Sequence, residues 1–276
     1  MMFLKNKGDV MRTLFKNYFI LCFFFLVFAL SISYATTLEE TFKKSIPLKS
    51  GGKLEVENLN GNITIESWNK EEVYIEAEKQ VRAGDRKDAE RFMEELKVEI
   101  EERSNEIIIT TRHPRKQGGD FWDWVFGDNV SSSVSYNIRV PQKCDVEATS
   151  TNGGVYVTYV EGNIRLRTTN GKINAESVKG VVSARTTNGS VKIELDEVKL
   201  NEEMEFLTTN GSVTLYFPKG INCDIRAKTT NGSIRTDFPL EVRGKYGSKR
   251  LDGKINGGGP VIFIETTNGS IKLLET

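Results

Sequence analysis

The stretch that decides the fold is Arg165-Leu166-Arg167-Thr168-Thr169-Asn170-Gly171-Lys172-Ile173-Asn174-Ala175, echoed by Ser183-Ala184-Arg185-Thr186-Thr187-Asn188-Gly189-Ser190-Val191-Lys192-Ile193. Both copies place Thr-Thr-Asn-Gly between two short runs in which apolar and polar residues alternate. Alternation with period two is the mark of a half-buried strand. Asn-Gly is turn chemistry, and the expectation is that its glycine supplies a positive φ at the corner.

The motif recurs at Asn152, Asn170, Asn188, Asn210, Asn231 and Asn268, at intervals of 18, 18, 22, 21 and 37 residues. Thr stands one residue before every one of these asparagines, and Thr or Ser two residues before. Apolar residues occupy the fourth and sixth positions before each Asn, such as Leu166 and Ile164, or Ile264 and Ile262. A further apolar residue stands three positions after it, from Val155 to Ile271. A second corner falls between copies, at Glu161-Gly162, Lys179-Gly180 and Pro218-Lys219-Gly220. Asn60-Gly61 fits the same frame, with Leu54, Val56, Ile63 and Ile65 at the apolar positions and Leu59 in place of the Thr.

Two architectures accommodate such units. A meander of hairpins uses Asn-Gly turns between adjacent antiparallel strands. A β-solenoid stacks each unit about 4.8 Å above the last. Only the solenoid gains from repeating the same side chain, because like then sits on like and amides bond down a column. The repeated Thr and Asn therefore predict an all-β, parallel β-solenoid with coils of 18–22 residues and a ladder of Asn152, Asn170, Asn188, Asn210, Asn231 and Asn268.

At this point the chain resembles the DUF4097 adhesin-like family and the related adhesin domains of autotransporter heads. The resemblance rests on the repeated Thr-Thr-Asn-Gly motifs, the Val140-Pro141 strand entry and Gly257-Gly258-Gly259-Pro260 before Val261-Ile262, and it covers residues 50–276. It implies a right-handed solenoid in an envelope or surface protein. Some members of the family are associated with envelope-stress systems. No catalytic residue set comes with the resemblance.

Outside the repeat, residues 1–35 read as an export signal: Lys5, Lys7, Arg12 and Lys16 precede an apolar run from Tyr18 to Leu30, and Ser33-Tyr34-Ala35 offers a small-x-small cleavage site. The run is shorter than the ~20 residues a membrane-spanning helix needs. No stable membrane span is expected after cleavage, and the expected location is the cell envelope, periplasmic or extracellular. The remainder divides into an N-terminal part, 36–140, and the Thr-Asn-Gly solenoid, 141–276. Within the first part the spacing of Ala89, Phe92, Met93 and Leu96 predicts an amphipathic helix over 85–97 with Asp85 as N-cap, covering an end or flank of the stack. Two strands around Ser104-Asn105 follow. Residues 113–133 read as a loop carrying Phe121, Trp122, Trp124 and Phe126. The ordinary reading of that loop is a plug on the end of the stack. The functional reading is a contact surface for a glycan, peptide or lipid headgroup.

Thirty-eight basic residues balance thirty-eight acidic ones among 276. That excludes a charged disordered tail and argues against a nucleic-acid partner. The single histidine, His113, rules out His-pair catalysis and His-based metal clusters, and no cofactor or metal is expected. Cys144 and Cys223 both stand eight residues before their asparagines, hence at equivalent inward positions four repeat intervals apart. That spacing, roughly 19 Å, is too long for a disulfide, so two buried thiols are expected. Outward positions carry Arg165, Arg167, Arg185, Arg226 and Lys228, interrupted by Glu147, Glu205 and Glu265, which reads as a mixed, solvated face. The function expected is a non-catalytic, adhesin-like binding or scaffolding protein. Its partner would be an envelope glycan or polymer, or a surface protein. The competing readings are a polysaccharide-acting enzyme on a β-helix and an envelope-stress component that binds a membrane partner.

Overall fold

A computed structural model describes residues 36–113, 130–198, 202–242 and 247–276. The expected export signal, residues 1–35, and the aromatic residues Phe121, Trp122, Trp124 and Phe126 lie outside the described residues.

The chain opens with β1 (Thr36–Pro47), followed by a first rung, β2 (Gly52–Asn60) and β3 (Ile63–Trp68). Then come β4 (Glu72–Ala83), helix α1 (Arg86–Glu95), β5 (Lys97–Arg103), β6 (Glu106–Arg112) and β7 (Ser131–Pro141). The next rungs use β8 (Cys144–Asn152), β9 (Val155–Thr158), β10 (Glu161–Asn170), β11 (Ile173–Asn188) and β12 (Val191–Val198). They continue with β13 (Met204–Asn210), β14 (Val213–Phe217), β15 (Cys223–Asn231) and β16 (Ile234–Thr236). After β17 (Glu241–Val242) and β18 (Arg250–Ile255) the last rung is β19 (Val261–Asn268) and β20 (Ile271–Glu275).

The fold is all-β and solenoid-like. Strands that precede the Asn-Gly corners form one column, in the order β2, β8, β10, the second half of β11, β13, β19 and β15, every neighbouring pair parallel. Strands that follow the corners form a second column: β3, β9, the first half of β11, β12, β14, β20 and β16, again parallel. Register is kept at the corners, so that Asn170 stands opposite Asn152 and Asn188 opposite Asn170. The reason is the period of two: a one-residue slip would turn every buried Val, Ile and Leu outward. Those residues form one continuous core between the columns, from Leu54 and Ile65 through Leu166 and Ile193 to Ile264 and Leu273.

The stack does not follow the order of the sequence throughout. The last rung to be made, β19–β20, lies between the rung of β13–β14 and that of β15–β16. The Asn231 rung is thereby pushed to the end of the stack. Cys144 and Cys223 are consequently five strand steps apart rather than four, about 24 Å at one strand spacing per step. Both thiols are free and buried.

Antiparallel pairing is confined to the ends. At one end β7, β4 and β1 extend the second column as a meander, while the β5–β6 hairpin extends the first. Lys44 of β1 and Glu102 of β5 meet at 2.8 Å across that end. Helix α1 lies against β1 and β4. Its N-cap Asp85 accepts a hydrogen bond from the Asp88 amide at 2.8 Å, and Ala89, Met93 and Leu96 are buried beneath it. At the other end β18 pairs antiparallel with β15 and β17 with β18.

Candidate functional site

The described surface is dominated by the corner and the two outward strand faces. At the corner, asparagine amides form one chain. Asn152 Nδ2 donates to Asn60 Oδ1, Asn170 to Asn152, Asn188 to Asn170, Asn210 to Asn188, Asn268 to Asn210, and Asn231 to Asn268, each at 2.8 Å. Asn60 ends the chain on the Ser132 carbonyl at 3.1 Å. Seven amides therefore point the same way along the stack, in spatial rather than sequence order.

The hydroxyl column sits one residue deeper than the threonines next to the asparagines. Thr169, Thr187, Thr209, Thr230 and Thr267 are exposed, whereas Thr168, Thr186, Thr208, Thr229 and Thr266 are buried. Each buried hydroxyl donates to the corner-glycine carbonyl of the adjoining rung, as Thr168 does to Gly153 O at 2.8 Å and Thr186 to Gly171 O at 3.0 Å. Ser150 makes a longer bond of 3.4 Å to Gly61 O. Asn58 fills the same slot in the first rung and reaches Val134 O of β7 at 2.8 Å.

The corner glycines serve a purpose other than the expected positive φ. Of the seven glycines that follow the ladder asparagines only Gly61 has one, at 113°. What forbids a side chain is the rung below: a Cβ on Gly171 would stand 2.5 Å from the Gly153 carbonyl carbon and closer still to its oxygen. Left-handed backbone falls instead near the second corner: at Gly180 (φ 116°), where glycine suits it, and at two equivalent non-glycine positions, Tyr159 (φ 59°) and Ser177 (φ 50°). Nothing in their residue types announces it.

On the outward face of the first column, Arg165, Arg167 and Arg185 converge. Register places Arg167 opposite Arg185, and Arg165 opposite Ser183. Arg167 Nη1 donates to Glu147 Oε1 at 3.2 Å and Arg185 Nη2 to Glu205 Oε2 at 3.4 Å. The side chains line a shallow groove of about 170 Å³. Further along the same face Lys228 pairs with Glu265 at 2.9 Å, and Phe263 is 36% exposed beside them. On the second column's face, Lys192 donates to Glu176 at 2.9 Å and lies 5.7 Å from the Tyr216 ring centroid. That hydrogen bond holds the Lys192 ammonium above its ordinary pKa and the Glu176 carboxyl below its own. Trp68, unremarked in the sequence, is half-buried; its indole N–H donates to Glu72 O at 2.8 Å, and Lys70 and Arg139 lie 4.5 and 5.7 Å from its ring.

His113 is half-buried. Its Nδ1 lies 3.0 Å from Ser132 Oγ, and burial lowers its pKa. Desolvation pushes the thiols of Cys144 and Cys223 up to about 12, and it does the same to the Tyr136 phenol, which meets Thr111 Oγ1 at 2.6 Å. Among the described residues no group of three or more His, Cys, Asp or Glu stands close enough to hold a metal ion.

In-register parallel rungs, an amide ladder at the corner and a continuous apolar core define a β-solenoid-like protein whose repeated side chains stand in rows on two faces. The chain belongs to the Toastrack DUF4097 family, whose model matches residues 30–274. No curated protein matches it. Among solved structures it is similar to a candidate cell-adhesion protein from Clostridium sporogenes, at 14% identity and a TM-score of 0.41, covering 86% of this chain and 100% of that one. It is also similar to a candidate adhesin from Bacteroides fragilis, at 11% identity and a TM-score of 0.40, covering 85% and 97%. A third is a candidate lipid-binding protein from Parabacteroides distasonis, at 10% identity and a TM-score of 0.31, covering 85% and 97%.

Proposed function

We propose that this chain is an exported, non-catalytic protein of the cell envelope that acts as an adhesin-like binding or scaffolding module. In this reading residues 1–35 are a signal removed on export, and the coils wind right-handed with about one rung per 18–22 residues. Recognition is by rows of side chains held at fixed spacing, with Phe121, Trp122, Trp124 and Phe126 as an additional contact. The observation that carries the reading is the ladder of seven asparagines on in-register rungs. Such an array makes the outward rows rigid, so little side-chain or backbone order has to be gained on binding.

The test is an array of envelope polymers, surface glycans and nucleic acids probed with the purified chain and with a Trp122→Ser/Trp124→Ser variant. Retention on an envelope polymer or glycan, and none on nucleic acid, is expected. Retention on none of the envelope components overturns the reading. A cell fractionation that finds the chain in the cytoplasm overturns the export half of it.

A further inference from the structure

We propose that the groove between Arg165, Arg167 and Arg185 is a site for a phosphodiester group of a linear polymer. The proposal deepens the envelope-binding reading, on which it rests for the source of the ligand. Three observations carry it. First, the parallel register of β10 and β11 sets Arg167 directly opposite Arg185. Like charges facing each other across a strand pair are unfavourable, and an anion between them turns that repulsion into attraction. Second, each carboxylate comes from a flanking strand rather than from between the arginines. Glu147 belongs to β8, on the far side of β10 and opposite Arg165, and Glu205, which lines one edge of the groove, to β13, on the far side of β11. Third, Arg165 and the Ser183 hydroxyl opposite it have no hydrogen-bond or ion-pair partner among the described residues, and both line the groove of about 170 Å³.

The charges select the ligand. Three guanidinium groups against two carboxylates, one of them shared with Lys53 at 3.7 Å, leave the groove positive, and a phosphodiester carries one negative charge. Its two non-ester oxygens match the planar fork of a guanidinium, which binds such a pair with two parallel hydrogen bonds. The free Arg165 fork supplies that contact, Ser183 a further donor, and the remaining N–H groups of Arg167 and Arg185 the flanks. The next basic pair on this face, Arg226 and Lys228 on β15, is separated from the groove by Glu205 and Glu265 on β13 and β19. The groove is thus a local site rather than part of a continuous basic stripe.

The test uses the full chain and three probes: poly(glycerol phosphate), dextran sulfate of equal charge, and neutral dextran. Retention on immobilised poly(glycerol phosphate) is expected to fall about a hundredfold in Arg165→Gln/Arg185→Gln, as the loss of two charge-assisted bonds worth a factor of about ten each would give. The variant Arg226→Gln/Lys228→Gln loses the same charge from the same face and should stay within about twofold of the parent. Glu147→Gln, which releases Arg167, should bind more tightly. In the unmodified chain, side-chain N–H resonances of the three arginines should shift with poly(glycerol phosphate) and not with neutral dextran. Equal losses in the two arginine and lysine variants, or no loss in either, overturn the site. Tighter retention on dextran sulfate overturns the phosphodiester assignment. Retention on an uncharged envelope glycan without any arginine response overturns the groove and leaves the binding role standing. An arginine response without retention on any natural envelope polymer does the reverse.

Discussion

The middle of the stack and its ends are built by different rules. From β8 to β14 each rung follows its predecessor in sequence, every pairing is parallel, and like residues stand on like. At the ends the chain leaves that order. Beyond the first rung β6 and β7 still pair in parallel, and antiparallel strands with a helix on β1 and β4 close that end; at the far end the Asn268 rung slips beneath the Asn231 rung. The middle needs no information beyond a short repeated motif, since each rung presents the same edge to the next. An end must stop that propagation, because a bare terminal rung leaves unpaired N–H and C=O groups open to another chain. The outermost strands answer with charge: β1 carries Glu39, Glu40, Lys43 and Lys44, and β5 carries Glu99, Glu101, Glu102 and Arg103. Variants that weaken the middle should therefore cost more than matching variants at the ends.

The largest difference is expected at glycine. Gly189→Ala puts a Cβ 2.6 Å from the Gly171 carbonyl carbon, between two backbones that cannot move apart without breaking the rungs. A cost of roughly 3 kcal/mol is expected, because overpacking here meets main chain rather than a flexible side chain. Gly220→Ala, in the connection before β15, meets nothing within 4 Å. Its thermal midpoint should match the parent's. Equal midpoints for both variants would remove close stacking as the reason for the corner glycine.

The buried thiols separate the regions by dynamics. Cys144 lies on β8, between β2 and β10, and Cys223 on β15 near the end of the stack. Their folded-state pKa values of about 12 lie above the ordinary 9.0, because burial favours the neutral thiol. This contribution to stability is fully present below pH 9 and is lost as pH rises toward 12. Unfolding followed in urea should thus show stability falling through that window. At neutral pH alkylation requires local opening, and end rungs open more readily than central ones. Mass spectrometry should find Cys223 modified about tenfold faster than Cys144, a difference of about 1.4 kcal/mol in opening. Equal rates would mean that the stack opens only as a whole.

A subtler contrast lies in the hydroxyl column. Thr186→Val keeps shape in a buried slot and leaves the Gly171 carbonyl without its 3.0 Å donor, for a loss of about 1–2 kcal/mol. Ser150→Ala removes only the 3.4 Å bond to Gly61 and should cost under about 0.5 kcal/mol. Denaturant midpoints compare the two directly.

The parts legible in sequence are those the stack imposes on every rung. Alternation shows which residues face inward, and a repeated Asn-Gly shows where the rungs turn, because both recur wherever the geometry recurs. Asp85 and the spacing of Ala89 and Met93 similarly mark the helix. What escapes is whatever depends on which rung meets which. The columns around Asn231 and Asn268 have the same types at the same offsets, so pattern alone cannot order them. Only the 37-residue interval between them, twice the usual, signals the excursion through β17 and β18 that lets β19 return beneath β15. The role of the corner glycine escapes for the same reason: a clash with the neighbouring rung leaves no trace within a single copy. The arginine groove is half legible. Arg167 and Arg185 share an offset in the repeat, but their carboxylate partners become visible only once Glu147 and Glu205 are placed on the flanking rungs.

The smallest expected effect tests the amide ladder, where the middle and the end differ by one hydrogen bond. Asn188 donates to Asn170 and accepts from Asn210, so Asn188→Ala removes two bonds. Asn231 stands at the end of the chain of amides and donates only to Asn268, so Asn231→Ala removes one. These amides are exposed, and water replaces part of what is lost, so each bond should count for about 0.5 kcal/mol. The central variant is thus expected to lose about 1 kcal/mol and the terminal one about half of that. The order of the rungs also decides a control. If the stack followed the sequence, Asn268 would be terminal and Asn231 internal, and the smaller loss would fall on Asn268→Ala. Here Asn268 bonds both Asn210 and Asn231, so its alanine variant should behave like Asn188→Ala. Calorimetric midpoints for the three alanine variants thus read the spatial order of the last rungs without any further structure determination.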